Sequence, residues 1–287
     1  MALFYTRARP IARGCRNIFA DETEVTFTDD WLLKLLLAEK RISYSGGIYR
    51  YTQIAFAYHS CAIDGGELTY EQVESLYDTY TVPTQRGDIV SVGDIMTAFN
   101  HFALFDVMLE NAKGPLAEDE IKGYHTILKR GTIDERRQWF TVGDYKTVPS
   151  VLGPGLAETS PPEKTPADMR RLLKRYAALS APKLEDILDF HYRFEVIHPF
   201  QDCNGIIGRM LMYKECLNYG LIPVMPDCGQ RELYLSGLAD YRRNKRKLFE
   251  EFARCQTLYG EVCEAYFEKR KNAGAQRWNC RNRPPRR

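Results

Sequence analysis

The sequence predicts an all-α fold with one small β-hairpin. Apolar residues recur at helical spacing along most of the chain, whereas one short stretch has the turn residues and β-prone runs of a hairpin. An apolar share of 44% over 287 residues is ample for a sizeable core. The expected helices cover residues 31–41, 48–60, 70–79, 91–110, 117–130, 165–179, 184–198, 205–219 and 230–258.

The chain divides into four regions by composition and pattern. Residues 1–30 are predicted to be a disordered leader, 31–90 an N-terminal helical segment, 91–258 the main helical core, and 259–287 the end of the last helix with a basic disordered tail. The leader has four arginines and no acid before residue 21, a composition typical of an organelle presequence. Because Pro10 and Gly14 would interrupt the amphipathic helix of such a presequence, a disordered leader is favoured. The tail has no acid from residue 269 onward, which favours solvated disorder with at most weak binding of RNA or an acidic partner.

Composition excludes several classes of function. A formal net charge of +2 gives no global field that would favour nucleic acid or a membrane surface. No apolar run approaches the ~20 residues of a membrane helix. The eight cysteines form no CxxC pair and no zinc-finger spacing, so a cytoplasmic, reducing location is expected.

The segment before residue 90 contains a helix end followed by a helix start. The stretch from Ser60 to Gly65 reads Ser-Cys-Ala-Ile-Asp-Gly, and Thr69 with Gln72 predicts a capping box for the next helix. By itself the Ser60 to Asp64 spacing indicates no more than a surface helix end.

The hairpin is expected at residues 142–149, where Gly143-Asp144 precedes short β-prone runs. An ordinary surface loop is the alternative. A segment rich in Gly, Pro and Ser, residues 153–166, then separates this hairpin from the following helices.

Residues 198–209 are the most informative part of the chain. Pro199 should end the preceding helix just after His198, which places this histidine at a helix end facing a loop. Asn204-Gly205 stands before the next helix, where free backbone N–H groups and the helix dipole favour a bound phosphate. Arg209 is then placed to reach the same anion.

Asp202 completes this set. It would repel a bare phosphate, so its presence makes sense if it holds a divalent cation, and His198 would then be free to act as a general base. Each feature also has a structural interpretation: a packed histidine, a simple turn and a carboxylate that complements a helix dipole.

This stretch resembles the signature of the Fic family, HPFx(D/E)GNGRxxR. His198, Pro199, Phe200, Asp202, Asn204, Gly205 and Arg209 stand where the pattern requires them. Cys203 replaces the first glycine and Ile206 replaces the first arginine. The likeness extends from about residue 31 to about residue 258.

The resemblance implies a Mg²⁺-dependent transferase that moves AMP from ATP to a Ser, Thr or Tyr hydroxyl of a target protein. The implied cofactors are ATP and Mg²⁺. His198 would be the catalytic base, Asp202 the metal ligand, and Arg209 a phosphate contact. The remaining nucleotide contacts would be Cys203, Asn204, Gly205 and Tyr234, the last of them near the adenine.

The resemblance also implies regulation and target docking. Ser60 to Gly65 is similar to the (S/T)xxxE(G/N) inhibitory helix of the family, with Asp64 in place of the glutamate and Arg209 as its partner. Aspartate is shorter by one methylene, so incomplete contact with Arg209 is expected. The hairpin would be a flap that docks the target segment through Tyr145, Lys146, Thr147 and Val148.

The expected function is therefore a protein adenylyltransferase with intramolecular inhibition. Its partner would be a hydroxyl-bearing target protein, and a homodimer remains open. Because Ile206 cannot supply a cation and Cys203 adds a side chain at the phosphate turn, two alternatives stand beside this function: a catalytically weakened protein that binds a nucleotide or a partner, and transfer of a different phosphate-containing group.

Overall fold

The computed structural model describes residues 30–150 and 159–281, with side chains described as far as residue 269. Within these ranges the fold is all-α and contains no strand, which confirms the predicted class. The helices are α1 Trp31–Arg41, α2 Ile48–Ile63, α3 Tyr70–Thr79, α4 Val92–Glu110, α5 Glu118–Lys129, α6 Thr165–Ala177, α7 Leu184–Ile197, α8 Asn204–Asn218, α9 Arg231–Asp240 and α10 Lys245–Arg281. Short 3₁₀ turns lie at Ile133–Arg136 and Cys228–Gln230.

Helix α8 is the centre of the core. Every residue from Ile206 to Leu217 is buried, and α8 packs against α2, α4, α5 and α7. Phe56 of α2 stacks on Tyr213 of α8 with ring centroids 5.1 Å apart. This packing places the end of α2 beside the beginning of α8.

Local signals fix several helix ends as predicted. Thr69 Oγ1 accepts from Gln72 N at 3.2 Å and Gln72 Oε1 accepts from Thr69 N at 3.0 Å, so the capping box is confirmed. Helix α7 ends at Ile197, and His198 caps it in the left-handed region at φ 52° before Pro199.

The predicted helix over 230–258 is wrong in one respect, because the chain breaks at residues 241–244 and forms α9 and α10 instead. Gly237 of α9 packs so closely on Leu248 of α10 that an added Cβ would lie 3.0 to 3.1 Å from Leu248 atoms, its Cα included. The two helices therefore fold back on each other. Helix α10 also continues to Arg281, so the tail predicted to be disordered is helical as far as that residue.

The predicted hairpin at 142–149 does not form paired strands. Its backbone instead pairs with the loop after α7: Lys146 N donates to Pro199 O at 2.8 Å, and Gln201 Nε2 donates to Val148 O at 3.0 Å. Thr147 N donates to the Gln201 Oε1 at 3.2 Å. The segment thus lies where the flap was expected, but as a loop held by residues 199–201.

Two predicted regions fall largely outside the described residues. These are the leader, of which only Asp30 is described, and the first part of the 153–166 linker, of which residues 159–164 lead into α6. None of the helices in the described ranges has the length and apolar character needed to cross a membrane.

Candidate active site

A cavity of about 560 Å³ opens where the end of α2, α7, the beginning of α8 and α9 meet. Most of the residues singled out from the sequence line it. They are Asp64, His198, Asp202, Cys203, Asn204, Gly205, Arg209 and Tyr234. The structure thus brings together the predicted base, metal ligand, phosphate turn and inhibitory residue.

His198 lies at the wall of this cavity at the end of α7. Its ring is half-buried, and its Nδ1 is buried without a hydrogen-bond partner in the described part of the protein. Burial, assisted by the nearby Lys146 ammonium, lowers the pKa of His198 to about 4. The imidazole is therefore neutral near pH 7 and can accept a proton.

The loop between α7 and α8 is closed by Asn204. Its Oδ1 accepts from Phe200 N at 2.8 Å and its Nδ2 donates to Phe200 O at 2.9 Å. The side chain of Asn204 is thus used to hold the loop, while its backbone begins α8 and leaves the helix N-terminus facing the cavity.

Cys203 occupies a backbone position that suits glycine. It has φ 61° and ψ 17°, in the left-handed region, where a residue with a Cβ pays roughly 1–2 kcal/mol. Its side chain is buried. The glycine of the family pattern is therefore explained by the backbone, and Cys203 departs from it at a conformational cost.

Arg209 is buried at 1% exposure, and its Nε and Nη2 are engaged in hydrogen bonds. Its Nε donates to Ser60 Oγ at 2.9 Å, and its Nη2 donates to Ser60 O at 2.8 Å and to Asp64 Oδ1 at 2.8 Å. Asp64 therefore contacts the arginine despite its shorter side chain, through one of its two carboxylate oxygens. Asp64 is the C-terminal cap of α2, and its carboxylate lies beside Gly205 at the beginning of α8.

Gly205 shows how close that approach is. A Cβ on Gly205 would lie 2.6 and 2.7 Å from the two carboxylate oxygens of Asp64 and 2.9 Å from Arg209 Nη1. The carboxylate thus lies directly over the first turn of α8, at a helix N-terminus, the kind of position that favours an anion.

Asp202 is paired with a lysine that the sequence did not point to. Lys129, at the end of α5, donates to Asp202 Oδ2, and also to Asp134 Oδ2 at 2.8 Å. Burial raises the pKa of Asp202, but Lys129 outweighs this effect and holds the pKa below its usual value. The carboxylate is 61% exposed at the cavity, so it remains accessible to a cation.

The flap residues divide into two pairs. Tyr145 and Lys146 are buried, and Lys146 Nζ donates to Ser150 Oγ at 2.9 Å and to Ile197 O at 3.3 Å. Thr147 and Val148 are exposed. Burial lowers the pKa of Lys146 to about 8. Lys146 therefore lies where its charge lowers the pKa of His198, and its buried side chain does not face a target.

Tyr234 and Ile206 are both core residues. Tyr234 lines the cavity, but its ring is buried at 2% exposure and its hydroxyl meets His191 Nε2 at 2.9 Å and Arg209 Nη1 at 3.5 Å. Ile206, also 2% exposed, packs in the hydrophobic core and does not line the cavity. The side chain of an arginine at position 206 would have to leave the hydrophobic core before its guanidinium group could reach the cavity.

Sequence reasoning missed Glu195, Lys129 and Arg231. Glu195 lines the cavity, and burial raises its pKa to about 8, so it is largely protonated near pH 7. Its position one helical turn before His198 was a signal that it shares a face with the histidine. Lys129 and Arg231 reach the site from other helices, for which no local pattern gives a signal.

Comparison with known proteins agrees with this geometry. A model of the Fic/DOC family matches residues 115–216. A probable protein adenylyltransferase of Aquifex aeolicus is 36% identical over 76 residues, which cover 26% of this chain and 23% of the relative. The chain therefore matches about a quarter of the length of that curated relative.

Solved structures show the same fold. A Fic domain containing signaling protein of Bacteroides thetaiotaomicron superposes with a TM-score of 0.62 at 22% identity, covering 81% of this chain and 97% of the other. A Fic family protein of Desulfovibrio desulfuricans gives a TM-score of 0.57 at 26% identity, with coverage of 81% and 68%. Fic-1 of C. elegans gives a TM-score of 0.59 at 17% identity, with coverage of 85% and 73%. The signature loop, the helical fold and the family match together identify residues 115–216 as a Fic/DOC family domain.

Proposed function

We propose that this chain transfers AMP from ATP to a hydroxyl group of a target protein and that Asp64 restrains the reaction. The observation that carries the proposal is the position of His198, a neutral base at the wall of a cavity whose floor is the N-terminus of α8. The Aquifex aeolicus relative, named as a probable protein adenylyltransferase, supports the same reaction class.

In this reaction the hydroxyl oxygen of the target attacks the α-phosphorus of ATP. An O–P bond to the target forms, the bond to the β-phosphate oxygen breaks, and pyrophosphate leaves. His198 takes the hydroxyl proton. The helix N-terminus at Asn204-Gly205 and the guanidinium of Arg209 stabilise the phosphate charge, which is where most of the rate enhancement of such transfers arises.

A divalent cation fits the donor set at Asp202. Its exposed carboxylate lines the cavity beside the phosphate turn, and carboxylate oxygens are the ligands that Mg²⁺ prefers. When bound, Mg²⁺ would neutralise phosphate charge. Lys129 supplies a protein cation on the same carboxylate.

The restraint follows from what Arg209 and Asp64 do to the phosphate site. The donors of Arg209 are engaged by Ser60, Asp64 and Tyr234. The Asp64 carboxylate stands over the first turn of α8, where its negative charge opposes phosphate. An ATP molecule would therefore have to displace Asp64 to place its terminal phosphate on Arg209.

Target docking at the flap would use the exposed Thr147 and Val148. Three backbone groups of the flap already pair with residues 199–201, so strand addition would rely on the groups that remain. The target segment would then pass close to His198.

The second candidate function is nucleotide binding without transfer, and the burial of Ile206 favours it. An arginine on phosphate contributes ~1.5–3 kcal/mol, or roughly one to two orders of magnitude in rate, and the buried Ile206 offers no substitute in the cavity.

One experiment separates the two functions. Purified protein is incubated with labelled ATP and Mg²⁺, with intact mass as a second readout for an AMP adduct on the protein itself or on candidate proteins. His198→Ala should bind ATP with affinity close to that of the parent and lose transfer by ~10²–10⁴-fold. Transfer at the parental rate by His198→Ala removes the proposed base. ATP binding by a folded parent and by a folded Asp64→Gly form, with no transfer by either, selects the binding function.

A further inference from the structure

Three metal-ligating side chains meet outside the active-site cavity. His59 lies near the end of α2, and Asp227 with Cys228 begins the 3₁₀ turn before α9. The Nδ1 of His59 is 3.2 Å from Cys228 Sγ and 3.5 Å from Asp227 Oδ1. All three ligand atoms lie within 4.8 Å of one another. None of the three residues lines the active-site cavity.

Asp227 Oδ1 accepts from Gly229 N at 2.8 Å, but the hydrogen bonds of this cluster leave His59 Nδ1 with one mismatched neighbour. Cys228 N also approaches His59 Nδ1, at 3.2 Å, and donates to it if that nitrogen carries its lone pair. The lone pair then faces the Asp227 carboxylate, which is a second acceptor. If Nδ1 carries the proton instead, it faces the N–H of Cys228, which is a second donor. Either tautomer therefore leaves one repulsive contact.

A cation among the three ligand atoms would lie between the His59 lone pair and the two other ligands, and Cys228 N would then give up its hydrogen bond to Nδ1. In a tetrahedral zinc site with Zn–N ~2.05 Å, Zn–O ~2.1 Å and Zn–S ~2.3 Å, the nitrogen lies ~3.4 Å from the oxygen and ~3.6 Å from the sulfur. The observed separations of 3.5 and 3.2 Å are within about 0.4 Å of these values. The oxygen and the sulfur lie within 4.8 Å of each other, against ~3.6 Å in that geometry, so closing the site requires side-chain movements of up to about 1 Å.

The surroundings suit zinc. The side chains of His59 and Asp227 are 21% and 41% exposed, so an ion can enter and a water can fill the fourth position. Cys228 forms no disulfide with any other cysteine whose side chain the structure describes. An imidazole, a thiolate and a carboxylate together favour Zn²⁺ over Mg²⁺ or Ca²⁺.

We propose that His59, Asp227 and Cys228 form a Zn²⁺ site that fastens the end of α2 to the turn before α9. On binding, the thiol of Cys228 releases its proton to solvent and its sulfur coordinates the metal. The same junction already contains the Arg231 Nε, which donates to Ile63 O at 2.7 Å. The ion would add a second connection between segments 169 residues apart in sequence.

The test uses the full chain, reduced, stripped of metal and titrated with ZnCl₂ against a chromophoric zinc chelator. The parent should bind one equivalent that depends on the cluster. His59→Gln, Cys228→Ser and Asp227→Asn should each weaken that binding at least ~10-fold, by analogy with the 10–100-fold effects of changes around metal ligands. In Asp227→Asn the side-chain oxygen that accepts from Gly229 N is retained. The loss of zinc affinity in this variant therefore reports the loss of the negative charge and not the loss of the cap.

Two further readouts exclude a purely structural effect. Co²⁺ should give a thiolate-to-metal absorption band in the parent that is lost in Cys228→Ser. Zinc should raise the thermal midpoint of the parent and of the control Cys61→Ser, which changes a cysteine two residues away on α2, but not that of Cys228→Ser.

Several results overturn the proposal. The proposal fails if the folded parent binds no zinc at micromolar concentrations, or if all three ligand variants bind zinc as tightly as the parent. It also fails if the cobalt band persists in Cys228→Ser. If Cys228→Ser does not fold by circular dichroism, His59→Gln, which leaves the thiol in place, decides between these outcomes.

Discussion

Asp64 Oδ1 lies 2.8 Å from Nη2 of Arg209, and the same carboxylate stands over Gly205 at the beginning of α8. One side chain thus neutralises the cation that phosphate would use and occupies the helix end that phosphate would approach. The arrangement depends on the close packing of α2 against α8, which brings the ends of two helices together.

Replacing Asp64 should therefore raise AMP transfer in two steps. Asp64→Asn removes the negative charge and retains an oxygen for Arg209, whereas Asp64→Gly removes both. We expect the rate order Gly, then Asn, then parent. The total gain for Gly should be roughly 10–100-fold, because a hydrogen bond to a charged group is worth ~1.5–3 kcal/mol. The measurement is AMP incorporation from labelled ATP under identical conditions.

The matched control for Asp64 is Glu67→Gln, an exposed acid three residues further along the chain. It should leave the rate unchanged. Equal gains from Glu67→Gln and Asp64→Asn would mean that general charge, rather than the contact with Arg209, limits the reaction.

The rate of AMP transfer should also fall at low pH, where His198 becomes protonated; this fall is the acid limb of the pH profile. Because the pKa of His198 is about 4, the base is lost only as pH falls through that value, and transfer should remain nearly constant from about pH 5.5 to 7. Lys146→Met removes the neighbouring positive charge, which should raise the pKa of His198 and move the acid limb to higher pH. Lys146→Arg, which keeps the charge, should leave the limb near its parental position.

This pH profile is measured as the rate with saturating ATP. A limb in the parent near pH 6.5, the ordinary value for histidine, would show that burial does not perturb His198 in the working protein.

Much of this site followed from local sequence, and the parts that did not depend on distant contacts. His198 and Gly205 occupy positions that Pro199 and the Asn-Gly pair predicted. The flap was mispredicted as a hairpin because its amide groups pair with Pro199 O and Gln201, more than 50 residues away, and not with each other. The break after α9 likewise reflects the contact of Gly237 with Leu248, which no helical periodicity reveals.

Cys203 allows a stability test of the phosphate turn. Its φ of 61° favours glycine over any residue with a Cβ, so Cys203→Gly should be more stable than Cys203→Ala by about 1 kcal/mol. In an ordinary helical position the order would be reversed. Chemical denaturation of the two variants measures the difference. A more stable alanine variant would show that the turn adopts another conformation in solution.

Lys129 is predicted to compete with Mg²⁺ for Asp202. Lys129→Met removes the ammonium and should lower the Mg²⁺ concentration that gives half-maximal transfer. It should also reduce the free energy of unfolding by about 2–3 kcal/mol, less than the ~3–5 kcal/mol typical of a broken buried pair, because Arg137 still pairs with Asp134 at 2.8 Å.

Lys122→Met is the matched control for this change, since Lys122 lies on the same helix and pairs with Glu118 at 3.1 Å and with Asp144 at 3.0 Å. It should leave the Mg²⁺ requirement unaltered. A higher Mg²⁺ requirement in Lys129→Met would show that the lysine positions Asp202 for the metal instead of competing with it.

The stacking of Phe56 on Tyr213 bears on how the proposed restraint by Asp64 would be relieved. Helix α2 contributes Ile54, Phe56 and Ala57 to the core at 0% exposure, so it is a structural part of the domain and not a detachable lid. Helices α2 and α8 should open as one cooperative unit in native-state hydrogen exchange, with protection close to that of global unfolding. If Asp64 restrains the reaction, activation would then come from fraying of the end of α2, residues 60–64, and a mutation that loosens the whole helix would unfold the domain before it released any activity.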